Sequence, residues 1–574
     1  MSFPSLPSKK SAMRTLDERR IRTWTISSWL AQSEMRTGRS PHVSSHQTSM
    51  AMLWGCMRAN QRQPIIKVCP RESAWNGINV QDGTARRRGM VGSWGSVQAD
   101  WTILLALLLG WYVLIKTWER NGTLDRWNAT RALGIVLMVR TQRGQRFLDW
   151  MARPRRFWRA YGEVSLWVCS VAMLMVALVL MLAFVTSLLS PPTASPPSAS
   201  ELVAVPGINP VIPLGWGALA FIISLVIHEF GHGLLARGHG MRIRSFGLLQ
   251  LGPLPLGAFA EPQSDELMRA PRRERLRMFA AGPATNLFAA LVMLLLLGGL
   301  ATQFVAEEEY IHVQGIVVEG GAEEAGMQPW DTLVSIDGVP VHTTEDFRTI
   351  LQGYSSNDTV DLVVIHQDGT RDTLQATFGD KHQYYLNLGW SEEALNNLEV
   401  QPGDPFLGVE GLSEGTAGID RLAGPLSPRF DGTLFQRALS LPFHVLSILM
   451  IPFELGGVAI HPFEESLMAG GDGLIGSAWG IDVLLMFAHL FFWLMWVNIL
   501  LGFTNLIPIV PFDGGHMFRD MLHAFLSGIK RVGRKLKLWD LHPMWVDHFS
   551  ARASSYSSLV LLVMLLFTMF IPYL

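Results

Sequence analysis

The chain has 574 residues, more than one small domain needs, and its hydrophobic share of 49% with mean hydropathy +0.23 argues against an ordinary soluble protein. The net charge of -1 hides an asymmetry: residues 1–89 hold 15 Lys+Arg against 5 Asp+Glu, leaving 32 against 43 for the remainder. Three cysteines, Cys56, Cys69 and Cys169, exclude a disulfide framework and a cysteine-built metal site, and nucleic acid is not an expected partner.

Residues 1–89 are rich in Ser, Arg and Gln and have no hydrophobic period. They read as a disordered basic tail or as a misplaced start codon, with translation beginning at Met90; the second reading is preferred. The first apolar block is 101–115, with Trp at both ends. Residues 117–164 carry Arg120, Arg126, Arg131, Arg140, Arg143, Arg146, Arg153, Arg155, Arg156 and Arg159, a cytoplasmic signal under the positive-inside rule. Block two, 165–189, ends in a Pro-rich linker without basic residues, hence outside. Block three, 214–236, returns inward to a second arginine cluster at 237–277, and block four, 278–304, leads out again.

Residues 305–435 are soluble in composition, with strand-like runs at 314–318, 332–336 and 359–366 between Gly and Asp turns. The apolar stretch 438–460 is interrupted by Pro442 and Pro452. If it crossed, block five at 481–507 would run outward and leave Lys530, Arg531, Arg534, Lys535 and Lys537 outside. We therefore expect 438–460 to be interfacial or re-entrant on the outer face. Block six is 557–571. Six spans with both ends outside also place the basic tail outside, against the charge rule, which again favours a start near Met90.

Chemistry concentrates in block three. It carries His228-Glu229-Phe230-Gly231-His232, and a helix turning once per 3.6 residues puts both histidines on one face, one turn apart. Two imidazoles so spaced can grip one zinc ion, and Glu229 beside them can take a proton from water that the metal activates. Ionisable groups in a membrane segment are costly and mark function by default. A third ligand is expected at Asp513, where Pro508, Pro511, Gly514 and Gly515 unwind the end of block five so that the carboxylate can point inward. Block four opens with Ala280-Ala281-Gly282-Pro283-Ala284-Thr285-Asn286. These small residues suit close helix packing, and Asn286 is either packing material or a polar group near the metal. His489 reads as a hydrogen bond within the bundle, and His516 as a group outside the ligand set.

These motifs, in this order, resemble those of the site-2 protease family of intramembrane zinc metalloproteases, over about residues 165–574. The run Gly257-Ala258-Phe259-Ala260-Glu261-Pro262 with Ala270-Pro271-Arg272-Arg273 looks like the archaeal branch. The resemblance implies one catalytic Zn2+ on His228, His232 and Asp513, Glu229 as general base, and a re-entrant loop at 243–260 that offers an extended edge to substrate. Phe512 stands where the family often has Leu. Asn286 or Asn505 would hold the oxyanion or the substrate backbone. Residues 311–380 are similar to a bacterial-type PDZ domain, carried by Gly320-Gly321-Ala322-Glu323-Glu324-Ala325-Gly326-Met327 and the run 330–341, with Phe406-Leu407-Gly408-Val409 as a candidate peptide-binding turn.

The expected fold is an α-helical membrane protein of about six transmembrane helices with an inserted small α/β-type PDZ-like domain. The expected divisions are 1–89, 90–164 (first helix and basic linker), 165–304 (membrane core), 305–435 (extracytoplasmic insert) and 436–574 (interfacial segment and core). The expected activity is endopeptidase cleavage of transmembrane segments in regulated intramembrane proteolysis, in the cell membrane of an archaeon, with the zinc near the cytoplasmic side. Expected partners are membrane proteins with a transmembrane helix, the lipid bilayer and a peptide for the PDZ-like insert. The alternatives are a non-proteolytic PDZ-containing membrane adaptor, which would have no need of Glu229, and a metal transporter, which would spread its polar groups along a path.

Overall fold

The computed structural model describes residues 66–67 and 101–574, apart from 133, 143, 191–197, 199, 203, 253, 308, 541 and 574. The basic tail, except Ile66–Lys67, Met90 and the Pro-rich linker at 191–197 lie outside the described residues. The apolar blocks are helices: α1 (Trp101–Arg120), α2 (Arg155–Leu189), α3 (Leu214–Gly238), α4 (Arg272–Ala301), α5 (Leu434–Glu454), α6 (Leu474–Asn505) and α8 (Pro543–Phe570). Between the last two lies α7 (Asp513–Leu536). Among the described residues, six of these, α2 to α6 and α8, are long and apolar enough to cross a membrane; the side chains at the start of α1 lie outside them. Several begin before the apolar run does. Arg155 and Arg156 open α2, and Arg272 and Arg273 open α4, because charged residues at a helix end reach water without breaking the backbone ladder.

Three contacts set the register of α3 and α6. Trp216 stacks on His489 at 6.2 Å, Asn498 donates to Ser224 at 2.7 Å, and His228 meets Asp513 at 3.2 Å. Each step along α3 matches a step along α6 and its continuation, so the two helices run parallel. α4 packs against both in the opposite sense, with Gly282 against His228 and Met278 against His232. Ala280, Ala281 and Ala284 of α4 are fully buried, and this small-residue stripe permits the close packing. Phe492, Trp493 and Trp496 of α6 fill the core above it.

α5 differs from a segment broken by its prolines. It is one helix of 21 residues running through Pro442 and Pro452. Length and composition alone would let it cross a membrane. Its ends are more informative. Just before it, Arg429 reaches the carbonyls of Ala301 and Phe304, at the end of α4. Just after it, a side chain at Gly457 would lie 2.4 Å from the carbonyl of Pro210, shortly before α3. Both points lie near the end of the core where α4 ends and α3 begins.

Among the described residues, two larger sheets and two two-stranded pairs accompany the helices. In the first, β1 (Ala129–Ala132), β2 (Val136–Thr141), β3 (Ile243–Leu251) and β4 (Leu254–Pro262) follow one another, all antiparallel. The hairpin β1–β2 falls in what reads from the sequence as a plain basic linker. It joins β3 in the register Leu137↔Gln250 to Thr141↔Phe246. Arginines at 131 and 140 obscure its strand period.

The second lies between β5 (Phe304–Ala306) and β11 (Met468–Gly470), which pair antiparallel and bring the two ends of the insert together. Inside are β6 (Ile311–Val317), β7 (Thr332–Ile336), β8 (Thr359–Ile365), β9 (Arg371–Thr377) and β10 (Val409–Glu414). β10 lies along β6, and Ile66–Lys67 pairs with the end of β6. Ile311, Val313, Leu333, Ile336, Leu362 and Val364 form a fully buried core. Residues 382–401 form a separate small unit containing the helix Glu392–Asn397. Glu464, 1% exposed, accepts two bonds from Arg421 at 2.9 and 2.6 Å and one from Ser413 of β10 at 3.4 Å. Removing Arg421 would leave a buried carboxylate uncompensated.

His312 of β6 is 1% exposed and bonded through Nδ1 to Thr332 at 2.9 Å, and burial pushes its pKa down to about 4. Between that value and its ordinary one, 6.5, the unfolded chain takes a proton that the folded form refuses. Stability of the insert therefore falls as pH drops through this window. Limited proteolysis of the full chain should show the insert opening between pH 6.5 and 4, and His312→Gln should flatten that dependence.

Candidate metal centre

α3 carries the two histidines because its heavily apolar run admits helix and nothing else across a bilayer. His228 Nε2 and His232 Nε2 lie 3.2 Å apart. Asp513 Oδ2 lies 3.2 Å from the first and 3.1 Å from the second. Four ligands at zinc–nitrogen and zinc–oxygen distances around a tetrahedron stand about 3.3 Å from one another. The three donor atoms match one face of that tetrahedron, which leaves a fourth corner free. Two imidazoles and one carboxylate are also the donor types that zinc takes. Among the described residues, this is the group of His, Cys, Asp and Glu whose ligand atoms converge in this way.

The surroundings prepare the donors. His232 Nδ1 faces the carbonyl of Met278 at 2.8 Å, so that nitrogen carries the proton and Nε2 keeps its lone pair for a metal. Gly282 forms the wall behind the imidazoles. A Cβ there would lie 2.3 Å from His232 Nε2 and 2.8 Å from His228 Cε1. Gly231 is needed for the same reason, because its Cβ would come within 2.5 Å of Thr285 Oγ1. That hydroxyl bonds the Ala281 carbonyl at 2.6 Å and the Tyr161 hydroxyl of α2 at 2.8 Å.

Asp513 arrives through a turn rather than through an unwound helix end. α6 stops at Asn505, and α7 begins at Asp513 itself. Gly514 and Gly515 press on the returning backbone, where a side chain would lie 2.4 Å from the Leu506 carbonyl oxygen and 2.6 Å from the Ile509 carbonyl carbon. Glu229, next to His228, turns toward the first sheet. Its Oε2 accepts the Ala260 N–H of β4 at 2.8 Å. β4 is the outer strand of that sheet, so the carboxylate stands at a strand edge. Phe259 lies across Gly247 of β3, whose added Cβ would meet the ring at 1.9 Å.

The remaining predicted residues divide. Asn286 is fully buried on α4, one turn beyond Gly282, and neither amide atom has a partner among the described residues. Asn505 donates to Leu501 of its own helix at 3.0 Å and is not drawn into the donor cluster. His489 bonds Glu465 at 2.9 Å, and His516 stacks on Phe279 at 4.8 Å. Cys169 is buried, and its thiol donates to the Ala280 carbonyl at 3.3 Å. Sequence reasoning missed the pair Ser224 and Asn498, one turn from His228, although two polar residues in apolar helices were a visible signal.

The family model described as Peptidase family M50 matches residues 216–536, more than half of the chain. The zinc metalloprotease Rip1 of Mycobacterium bovis is 27% identical over 52% of this chain and 83% of its own length. A protein of Mesorhizobium japonicum whose name provisionally assigns it as a zinc metalloprotease is 24% identical over 52% of this chain and 85% of its length. A protein of Methanocaldococcus jannaschii is 28% identical over 43% of this chain and 62% of that protein. With the matched region enclosing both histidines, Asp513 and the helices that bring them together, the chain belongs to Peptidase family M50 and is a zinc-dependent metalloendopeptidase of the membrane.

Proposed function

We propose that the chain cleaves peptide bonds within transmembrane segments of other membrane proteins, as in regulated intramembrane proteolysis. One observation carries this reading: three zinc-type donors converge between apolar helices, beside a carboxylate fixed at a strand edge. His228, His232 and Asp513 hold the metal. Zinc supplies a Lewis acid and lowers the pKa of water. Glu229 takes the proton from the attacking water and delivers it to the leaving amine. Ala260 orients that carboxylate through its N–H.

A peptide bond in a helix is hidden behind its own hydrogen bonds, so a substrate helix must unwind locally. The outer edge of β4 then receives the extended segment as an added strand. Asn286, buried with both amide atoms unpaired, is suited to bind the developing oxyanion or the substrate backbone. Asn505 would have to leave its bond to Leu501 to take that role.

The insert serves as a PDZ-like domain on the outer side of a cell membrane, with the metal nearer the arginine-rich cytoplasmic side. The positive-inside rule supports this orientation. Such a domain adds no catalytic group. It limits which substrates reach the membrane, and the edge of β10 offers a place for a peptide.

Three outcomes are expected. Glu229→Gln keeps zinc at full stoichiometry but loses cleavage of a reporter helix by at least about 100-fold, the range of general base catalysis; normal cleavage would remove Glu229 from the reaction. Asp513→Ala lowers both zinc content and activity, since a ligand is lost; full zinc occupancy by metal analysis would take Asp513 out of the ligand set. Deleting residues 315–379 relaxes selection. The test is a matched pair, one reporter helix with a short outer stub and the same helix with a folded outer domain. An unchanged cleavage ratio after deletion would rule out a filter.

A further inference from the structure

The faces that α3, α4 and α6 turn to one another carry a polar layer one turn from the metal donors. α3 and α4 run antiparallel, with His232 facing Met278 and His228 facing Gly282. One more turn in that progression sets Ser224 of α3 opposite Asn286 of α4. Asn498 of α6 reaches the same level, because its Nδ2 donates to Ser224 Oγ at 2.7 Å. Gly502, one turn further along α6, lies against Leu287 and the Pro283 carbonyl, so α6 passes beside Asn286. Ser224 and Asn286 are fully buried, and Asn498 is 1% exposed.

The hydrogen bonds of this layer do not close among its own side chains. Asn498 Nδ2 also donates to the Leu494 carbonyl at 2.7 Å. A carbonyl only accepts, so the orientation of the amide is settled and Oδ1 is the atom left over. Asn498 Oδ1, Asn286 Oδ1 and Asn286 Nδ2 are buried without a partner among the described residues, and so is His228 Nδ1 one turn away. An imidazole that gives Nε2 to a metal carries its proton on Nδ1 and needs an acceptor there. His232 has the Met278 carbonyl for this. His228 has no such acceptor among the described residues, and its Cε1, bonded to Nδ1, faces Gly282, one turn from Asn286. One water has the complement these atoms need. It accepts from His228 Nδ1 and Asn286 Nδ2 and donates to Asn498 Oδ1, and buried waters make about three such bonds. Asn286 Oδ1 is left for the Ser224 hydroxyl, and the second N–H of Nδ2 stays available to an oxyanion.

We propose that α3, α4 and α6 bind one ordered water at this layer, that it orients His228 from behind, and that Asn498 is a positioning residue acting through it. The proposal rests on His228 as a metal ligand but not on cleavage. The test is radiolytic hydroxyl labelling of the full chain in lipid nanodiscs, in isotope-labelled water, read by mass spectrometry. Radicals formed at a buried ordered water oxidise the side chains beside it. Met495, 1% exposed, stands one turn before Asn498 on α6, and Met468 of β11, 2% exposed, is the reference. Met495 should label at least five-fold faster than Met468, a comparison that needs no variant. Asn498→Leu, similar in volume but without the acceptor, should abolish the excess. It should also weaken zinc binding about ten-fold in chelator competition, the range for a lost outer partner of a ligand. Ser224→Ala cuts the tie between the helices but leaves Asn498 Oδ1 in place, so it should keep both the label and the zinc affinity. Equal labelling of Met495 and Met468 in the unsubstituted chain overturns the water site. Equal losses in Asn498→Leu and Ser224→Ala reduce the layer to helix packing and overturn it as a binding site. A lost label with unchanged zinc affinity overturns Asn498 as a positioning residue. Lost cleavage with the Met495 label intact would count against the proteolytic reading alone.

Discussion

The approach of the α4 backbone to the imidazoles at Gly282 is the contact on which the site depends. His232 Nε2 lies where any larger residue would put its Cβ. With the helix that close, the Met278 carbonyl of the same helix reaches His232 Nδ1 and fixes which nitrogen is free. Two imidazoles and a carboxylate buried in an apolar setting would each be costly if left alone. Converging on one point, they can be satisfied by one divalent cation.

The same packing depends on direction. The chain leaves the core at β5 and returns at β11, and these strands pair side by side. Whatever lies between must begin and end at one end of the core. α6 therefore enters from the end at which α3 enters, and Asp513 reaches the depth of His228. The neighbours Glu464 and Glu465 fasten this closure from two sides. Glu464 holds Arg421 and Ser413 of the insert, and Glu465 holds His489 of α6. The insert is thus tied to the helix that leads to Asp513.

The strand edge adds a second kind of order. β4 spends one outward N–H on Glu229, so the position of the carboxylate depends on a sheet and not only on its own helix. The hairpin β1–β2 backs this sheet on the far side and limits its freedom. A carboxylate set by two elements loses less orientation when a substrate arrives than one set by its own rotamer alone.

The sequence by itself determined whatever is local. The apolar blocks and the one-turn spacing of His228 and His232 follow from helix period and backbone chemistry; Pro508 and Pro511 mark the break before Asp513, which the chain makes as a turn between α6 and α7 and not as an unwound helix end. The stretch 438–460 was less legible: its prolines suggest a break, yet α5 runs through both of them as one helix. Tertiary structure alone decided that Gly282 is the wall behind the histidines, that Ala260 holds Glu229, that Asn498 meets Ser224 and that Asn505 stays with its own helix. Each of these depends on which faces of separate elements meet. That choice is made by small-residue packing and by the closure at β5 and β11, between residues far apart in the chain, and neither a local period nor a hydropathy average carries it.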